Sequence, residues 1–227
     1  MTTAAFQLWP TMRRVERTAW NAIVRCTRAQ KLSTIPLPIP VEQWIEGPLG
    51  ISFGIAALGP GVLGIARPTE REILVSQALA DQEARFRFTA AHELGHILLH
   101  PRITAEFRES ADGDFVDRKI EREADRFAAA FLMPLPALTF EFSRITGQNS
   151  TEPNGLLSAA RRADTAALQL FRTVVLPHMT RRFGVSLSAA ARRFADVQLP
   201  TGEPALPWEV CAMLLPPEQV REALRRG

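Results

Sequence analysis

A stretch of mostly apolar and small residues that contains the motif His-Glu-x-x-His is the strongest constraint on this sequence. Residues 89–100 have the character of a buried helix, and Pro101 ends it. Within this stretch His92, Glu93 and His96 follow the pattern H-E-x-x-H. Burying such groups without partners would cost several kcal/mol. The helix therefore needs a specific partner for its polar side chains.

The spacing of the two histidines predicts that they bind one metal ion. On a helix, His92 and His96 lie about 40° apart around the axis and about 6 Å apart along it. Two imidazoles so placed can reach one zinc ion, and H-E-x-x-H is typical of zinc peptidases. Glu93 lies beside them, where it would act as a general base on water. The motif also occurs on helices without a metal, so a purely structural role remains an alternative.

A second predicted helix, residues 116–133, offers the third ligand. Glu121 falls within its apolar stripe, Asp125 lies about 40° away, and Glu123 lies on the opposite edge. A carboxylate within an apolar stripe needs a cation. We therefore predict that Glu121 is the third ligand and that Glu123 is a surface charge. Asp125 is predicted to accept a hydrogen bond from the free ring nitrogen of a ligand histidine, with His92 as the expected donor.

Three protein ligands leave one coordination position open, which is typical of a catalytic rather than a structural zinc site. Such a site also needs a donor for the oxyanion, often a tyrosine or histidine, but this chain has no tyrosine. We predict His178, in an expected loop after Pro177, for this role. The alternatives are His100, one of the arginines or the zinc ion alone, in which case His178 is an incidental loop histidine. His100 lies about 12 Å along the helix from His92 and cannot share the ion. His100 is interpreted either as a polar residue at a helix C-terminus or as an oxyanion donor.

Composition indicates a folded protein in a reducing compartment. Of the 227 residues, 46% are hydrophobic and 22% charged, which suffices for a core. The two cysteines have no metal-site spacing, and the N-terminus lacks the features of a signal peptide, so we expect a cytoplasmic location. Residues 47–66 are uncharged, but their six glycines and two prolines favour two strands around a turn over a membrane span. The basic residues 13–31 are interpreted as a solvated helix face, with an acidic partner or nucleic acid as the alternative.

The fold class predicted is α+β, with a small, mainly antiparallel sheet packed on the zinc-binding helix pair (zincin-like) and helical N- and C-terminal parts. Residues 101–114 are expected to form a polar loop, and 147–155 a linker. The division predicted is 1–46 N-terminal helical segment, 47–146 catalytic core and 147–227 C-terminal helical region. Periodicity and turn residues predict the following elements: helices 11–30, 41–46, 156–176 and 186–196, and strands 49–57, 61–66 and 72–77.

The two motif segments, residues 87–100 and 121–134, resemble the ImmA/IrrE metallo-endopeptidases in sequence, order and separation. The resemblance covers about residues 40–140, with a weaker echo at 183–186. It implies a gluzincin-like core that holds one zinc ion through the positions of His92, His96 and Glu121. Members cleave helix-turn-helix repressors that control mobile elements, stress or DNA-damage responses, or toxin–antitoxin operons. The resemblance therefore implies a protein substrate, a separate repressor or antitoxin.

A non-proteolytic regulator that acts by binding DNA or a partner is the competing function. Residues 185–196 have the pattern of the turn and second helix of a DNA-binding unit, with Arg192 and Arg193 available for phosphates. No first helix is expected before them, because Pro177 intervenes. We therefore expect neither nucleic acid nor a membrane as a partner. The sequence makes no prediction of oligomeric state.

Overall fold

The computed structural model describes residues 14–103, 106–110, 118–147, 155–199 and 201–220. The chain forms two compact units, which divide between Leu132 and Met133. The predicted linker lies mostly outside the described residues, and the three-part division at 46 and 146 stays a prediction.

The first unit combines helices with a small sheet. Its described elements are α1 (Arg14–Ala29), α2 (Val41–Glu46), β1 (Ser52–Ala56), β2 (Val62–Arg67), β3 (Glu72–Ser76), a single 3-10 turn (Gln77–Leu79), α3 (Glu83–Leu99), β4 (Phe107–Ser110) and α4 (Arg118–Leu132). This mixture confirms the predicted α+β class, and α2 has the predicted bounds.

The sheet has the strand order β1-β3-β2-β4. β2 pairs antiparallel with both β3 and β4, whereas β1 pairs parallel with β3. The uncharged residues 47–66 contain β1 and most of β2. A turn joins the two strands, and Gly61 in this turn adopts a positive φ of 76°. Within the part of the chain that the structure describes, no helix has both the length and the apolar character of a membrane span.

The expectation that residues 101–114 form only a polar loop is wrong, because β4 lies within them. This strand is at the edge of the sheet and spans four residues, Phe-Arg-Glu-Ser. A short edge strand with two charges lacks the apolar pattern that identifies a strand in a sequence. Its pairing with β2 is a long-range effect that local sequence does not show.

Helix α3 begins at Glu83 rather than near residue 89. The preceding Arg-Phe-Arg-Phe at 85–88 alternates as a strand would, which conceals the helical period. From Thr89 to Ile97 every residue of α3 is buried, as expected for a central helix.

Helices α3 and α4 pack closely because glycine lies at their contact. A Cβ atom at Gly95 would lie 3.2 Å from both Ala124 Cα and Phe127 Cβ. The close approach brings the acidic residues of α4 alongside the histidines of α3. Helix α1 packs on the same unit through the apolar face expected for it, with Ala19, Ala22, Ile23 and Cys26 buried.

The second unit is helical in its described residues. It contains α5 (Leu135–Thr146), α6 (Leu156–Arg161), α7 (Thr165–Leu170), a π-helical segment (Phe171–Val175), α8 (Leu176–Phe183), α9 (Leu187–Asp196) and α10 (Trp208–Met213). Phe142, Phe171 and Phe194 contact one another in its core, with ring centroids 5.5–6.1 Å apart.

The prediction that His178 lies in a loop is wrong, because it lies within α8. Pro177 occupies the first turn of α8, where a missing backbone N–H and a fixed φ are tolerated. The helix ends at Gly184, which has a φ of 63°. The Ser186 hydroxyl then accepts a hydrogen bond from the backbone N–H of Ala189 and caps α9.

Candidate metal centre

Three side chains from two helices converge in the first unit. His92 and His96 extend from successive turns of α3, and Glu121 extends from the first turn of α4. The His92 Nε2 atom lies 3.0 Å from His96 Nε2 and 3.1 Å from Glu121 Oε2. The His96 Nε2 atom lies 3.6 Å from Glu121 Oε1. All three ligand atoms fall within 4.8 Å of one another.

These distances fit one tetrahedral ion. With zinc–nitrogen bonds near 2.1 Å, tetrahedral angles place two ligand atoms about 3.4 Å apart. The three observed distances of 3.0, 3.1 and 3.6 Å lie around this value. Two imidazoles and a carboxylate are also the donor set that zinc accepts. The residues present therefore fit a metal ion.

Asp125 lies one turn beyond Glu121 and fixes the other side of His92. Its Oδ1 atom is 3.0 Å from His92 Nδ1. A carboxylate at this position holds the imidazole ring in one orientation and keeps the proton on Nδ1, which leaves Nε2 free for a metal. The structure thus brings His92, Glu121 and Asp125 together, as their positions around the two helices predict. Their roles as metal ligands and as a supporting residue remain proposals.

The electrostatics of the cluster favour a cation between the helices. Burial lowers the pKa of His92, but hydrogen bonds to the Asp125 and Glu121 carboxylates raise it well above its usual value. Burial raises the pKa of Glu121, yet the two imidazoles bring it down to about 2. Burial brings the pKa of His96 to about 4, so this ring is neutral. Without a metal, a proton on His92 supplies the positive charge.

Glu93 lies beside these residues and is 0% exposed. Neither of its carboxylate oxygens has a hydrogen-bond partner among the described residues. Burial raises the pKa of Glu93 well above its usual value, and the charge of His92 offsets only part of this rise. A buried carboxylate without partners is destabilising, and this arrangement is typical of a general base that awaits a substrate or water.

Strand β4 contributes two residues that sequence reasoning missed. The Phe107 ring stacks on the imidazole of His96, with centroids 4.2 Å apart and planes 11° apart. Glu109 is buried on the same side of β4, because residues two apart in a strand share a face. Its charge acts on both His92 and Glu93. No signal in the sequence indicated these residues, because they lie in the segment interpreted as a loop.

His100 and Glu123 lie outside the group of three ligands. The His100 Nε2 atom is 3.2 Å from Glu123 Oε2, and Glu123 also pairs with Arg14. Glu123 thus meets a cation, Arg14, as its position on the edge of α4 predicts. His100 lies just after the end of α3, and its ring is inclined at 46° to that of His96.

His178 is engaged with charged residues of the second unit. Its Nε2 atom lies 2.9 Å from Glu141 Oε2, and Arg144 and Arg182 also donate to this buried carboxylate. Burial raises the pKa of Glu141, but hydrogen bonds to Arg182, His178 and Arg144 outweigh this effect and lower it to about 2. The oxyanion role of His178 stays a prediction.

The arginines proposed for phosphate contacts are occupied within the second unit. Arg193 is 1% exposed, and its Nε donates to the Met133 carbonyl at 2.9 Å. The interpretation of Arg193 as a phosphate ligand is therefore wrong. Arg192 lies over the Trp208 ring, 5.2 Å from its centroid. The expectation that no helix precedes this segment is also wrong, because α8 does.

The donor set and the buried carboxylate together have the features of a catalytic metal centre. Residues 61–149 match the family model of the M78 peptidases, described as the IrrE N-terminal-like domain. This segment contains the whole cluster and is similar in sequence to the ImmA/IrrE peptidase family. A search of curated proteins finds no match to the chain.

Proposed function

We propose that this protein is a zinc-dependent endopeptidase that hydrolyses one peptide bond in a regulatory protein. The observation that carries the proposal is the placement of Glu93, buried and without a hydrogen-bond partner among the described residues, next to His92, His96 and Glu121. The match of residues 61–149 to a peptidase family model supports it.

His92, His96 and Glu121 would hold the metal. Zinc, when bound, supplies Lewis-acid activation of water and polarisation of the scissile carbonyl. The three residues are 2%, 1% and 14% exposed, so bulk water does not compete freely at this site. Asp125 orients His92 through Nδ1, and the stacked Phe107 ring orients His96.

Glu93 would transfer the proton. In the proposed reaction its carboxylate accepts a proton from the attacking water, whose oxygen forms a bond to the carbonyl carbon. The carbon–nitrogen bond then breaks, and Glu93 delivers the same proton to the leaving amine. A carboxylate with a raised pKa suits both steps, because it takes up a proton more readily than an ordinary carboxylate and can still release it.

The substrate proposed is a separate helix-turn-helix repressor or an antitoxin in the cytoplasm, which places the protein in transcription regulation or a stress response. The resemblance of the motif segments to the ImmA/IrrE peptidases supports this class of substrate. The test is co-expression with the repressor encoded beside this gene. Wild type should deplete the repressor, and Glu93→Gln should leave it intact. Equal depletion by both forms would contradict the assigned role of Glu93.

A DNA-binding regulator is the second candidate. Helices α8 and α9, joined at Gly184–Ser186, are the observation that favours it. The burial of Arg193 opposes it, since that side chain cannot contact a phosphate in this structure. Binding to one operator that weakens steeply with salt, without cleavage of any repressor, would favour this candidate.

A further inference from the structure

We infer that Gly64 in β2 sets the position of the Glu93 carboxylate, because the missing side chain leaves the space that this carboxylate occupies. The effect of Gly64 on catalysis rests on the proposed endopeptidase function, whereas its contact with Glu93 does not. Gly64 would be a positioning residue, which acts on the reaction only through Glu93.

The space at Gly64 is filled by α3. A Cβ atom there would lie 2.7 Å from Thr89 Cγ2, 2.9 Å from Glu93 Cγ and closer still to Glu93 Oε1. Real Cβ atoms essentially never approach other atoms to less than 3.0 Å. An alanine at this position would therefore displace the Glu93 and Thr89 side chains, the strand or both.

The strand has little freedom to move instead. Gly64 pairs with Val75 of β3 on one side and with Glu109 of β4 on the other. Backbone hydrogen bonds on both sides hold a central strand, and moving it would break them. The neighbouring Thr89 is buried on α3, one turn before Glu93. The side chains of Glu93 and Thr89 are thus the parts that must give way, and the closest contact is with the Glu93 carboxylate.

Packing, rather than hydrogen bonding, determines where this carboxylate points. Glu93 Oε1 and Oε2 have no hydrogen-bond partner among the residues that the structure describes. The surfaces of Gly64 and Thr89 are then what excludes other side-chain positions. A displacement of about 1 Å in a catalytic group can cost about 100-fold in rate.

Gly54 in β1 provides a matched control. A Cβ atom at Gly54 would lie 2.9 Å from Leu74 Cδ2, the end of a flexible apolar side chain. Gly54→Ala therefore introduces a milder crowding into a strand of the same sheet without touching Glu93.

The first test is a double-mutant cycle on the metal-free protein, with the melting temperature as readout. Gly64→Ala should lower Tm by about 4–10 °C, the range for overpacking in a protein of this size. In a Glu93→Ala background, which empties the space, at least about half of this loss should disappear. The loss caused by Gly54→Ala should be the same in both backgrounds. Equal losses for Gly64→Ala in both backgrounds would overturn the inference.

If Gly64→Ala alone does not fold, the double variant Gly64→Ala/Glu93→Ala decides the question. A folded double variant supports the inference, and an unfolded one overturns it.

The second test compares metal content and cleavage of the co-expressed repressor. Gly64→Ala should bind zinc in the wild-type amount and lose about 100-fold in kcat, with KM nearly unchanged. Gly54→Ala should cleave at the wild-type rate. A wild-type kcat in Gly64→Ala would overturn the inference while leaving the proposed function intact. If wild type itself cleaves nothing, the proposed function fails, and the thermal cycle still decides whether Gly64 positions Glu93.

Discussion

His92 Nε2 and His96 Nε2 lie 3.0 Å apart on successive turns of α3. Two imidazole nitrogens at this distance need a proton or a metal ion between them, because their lone pairs would otherwise repel. Without a metal, the raised pKa of His92 supplies the proton, and Glu121 balances its charge. The same geometry can therefore be stabilised in two ways, by a proton or by a metal ion.

The protonated state predicts how the stability of the metal-free protein depends on pH. Glu121, with its pKa lowered to about 2, contributes stability above its ordinary pKa of 4.5 and loses it as pH falls towards 2. His92, with a raised pKa, contributes stability below its ordinary pKa of 6.5 and loses it as pH rises through the raised value. The contribution should be greatest between pH 4.5 and 6.5. Denaturant unfolding at several pH values measures it.

Glu121→Gln is the control for this pH dependence. It should remove about 2–3 kcal/mol of unfolding free energy within that window and flatten the profile. If the dependence of stability on pH is the same in Glu121→Gln as in wild type, the ion pair between His92 and Glu121 does not form.

Replacing Glu121 should abolish tight metal binding, whereas replacing Glu123 should not. Both residues lie in the first turns of α4, but only Glu121 faces His92 and His96, while Glu123 pairs with Arg14 and His100. Glu121→Ala should weaken zinc binding by more than about 100-fold, since loss of a supporting residue alone costs 10–100-fold. Competition with a chelator measures the affinity. The reverse result for Glu121→Ala and Glu123→Ala would refute the assignment from helix phase.

Asp125→Asn should weaken zinc binding by about 10–100-fold while leaving the protein folded. The amide keeps the size of the carboxylate but no longer stabilises the orientation and tautomer of His92 through its charge. Chelator competition, with circular dichroism to verify the fold, measures the effect. Wild-type affinity in this variant would show that the 3.0 Å contact between Asp125 and His92 is not needed.

Glu93→Gln should stabilise the metal-free protein by about 1–2 kcal/mol at pH 7–8, as the removal of strain at a functional site often does. The wild-type carboxylate is buried without hydrogen-bond partners among the described residues, and its pKa is raised. The stability due to this group is therefore present below pH 4.5 and lost as pH rises through the raised pKa. Thermal unfolding at pH 4 and pH 8 measures the difference between variant and wild type. If Glu93→Gln is less stable than wild type at pH 8, burial of the Glu93 carboxylate does not destabilise the folded protein.

The angular positions of residues around a helix sufficed to predict which side chains face one another at the candidate metal centre. Its four residues lie on two helices, and their relative positions on each helix depend only on their spacing in the sequence. His92 and His96 share one face of α3, as Glu121 and Asp125 share one face of α4, whatever the rest of the chain does. The apolar surroundings of each face predicted its burial.

Residues that depend on strand pairing could not be predicted in this way. Phe107 reaches His96 only because β4 pairs with β2, and Gly64 meets Glu93 only because α3 packs on the sheet. Neither contact leaves a local signal. The helical position of His178 was missed for a different reason: a proline breaks a helix interior but is accommodated in the first turn of α8.

The most direct test of the central claim is cleavage of the purified candidate repressor by wild type and Glu93→Gln at equal zinc content. Mass spectrometry of the products and elemental analysis of both proteins supply the data. We predict one zinc ion in each protein, a single cleavage in the repressor by wild type, and at least about 100-fold slower cleavage by Glu93→Gln. Cleavage at the wild-type rate by zinc-loaded Glu93→Gln would contradict the account.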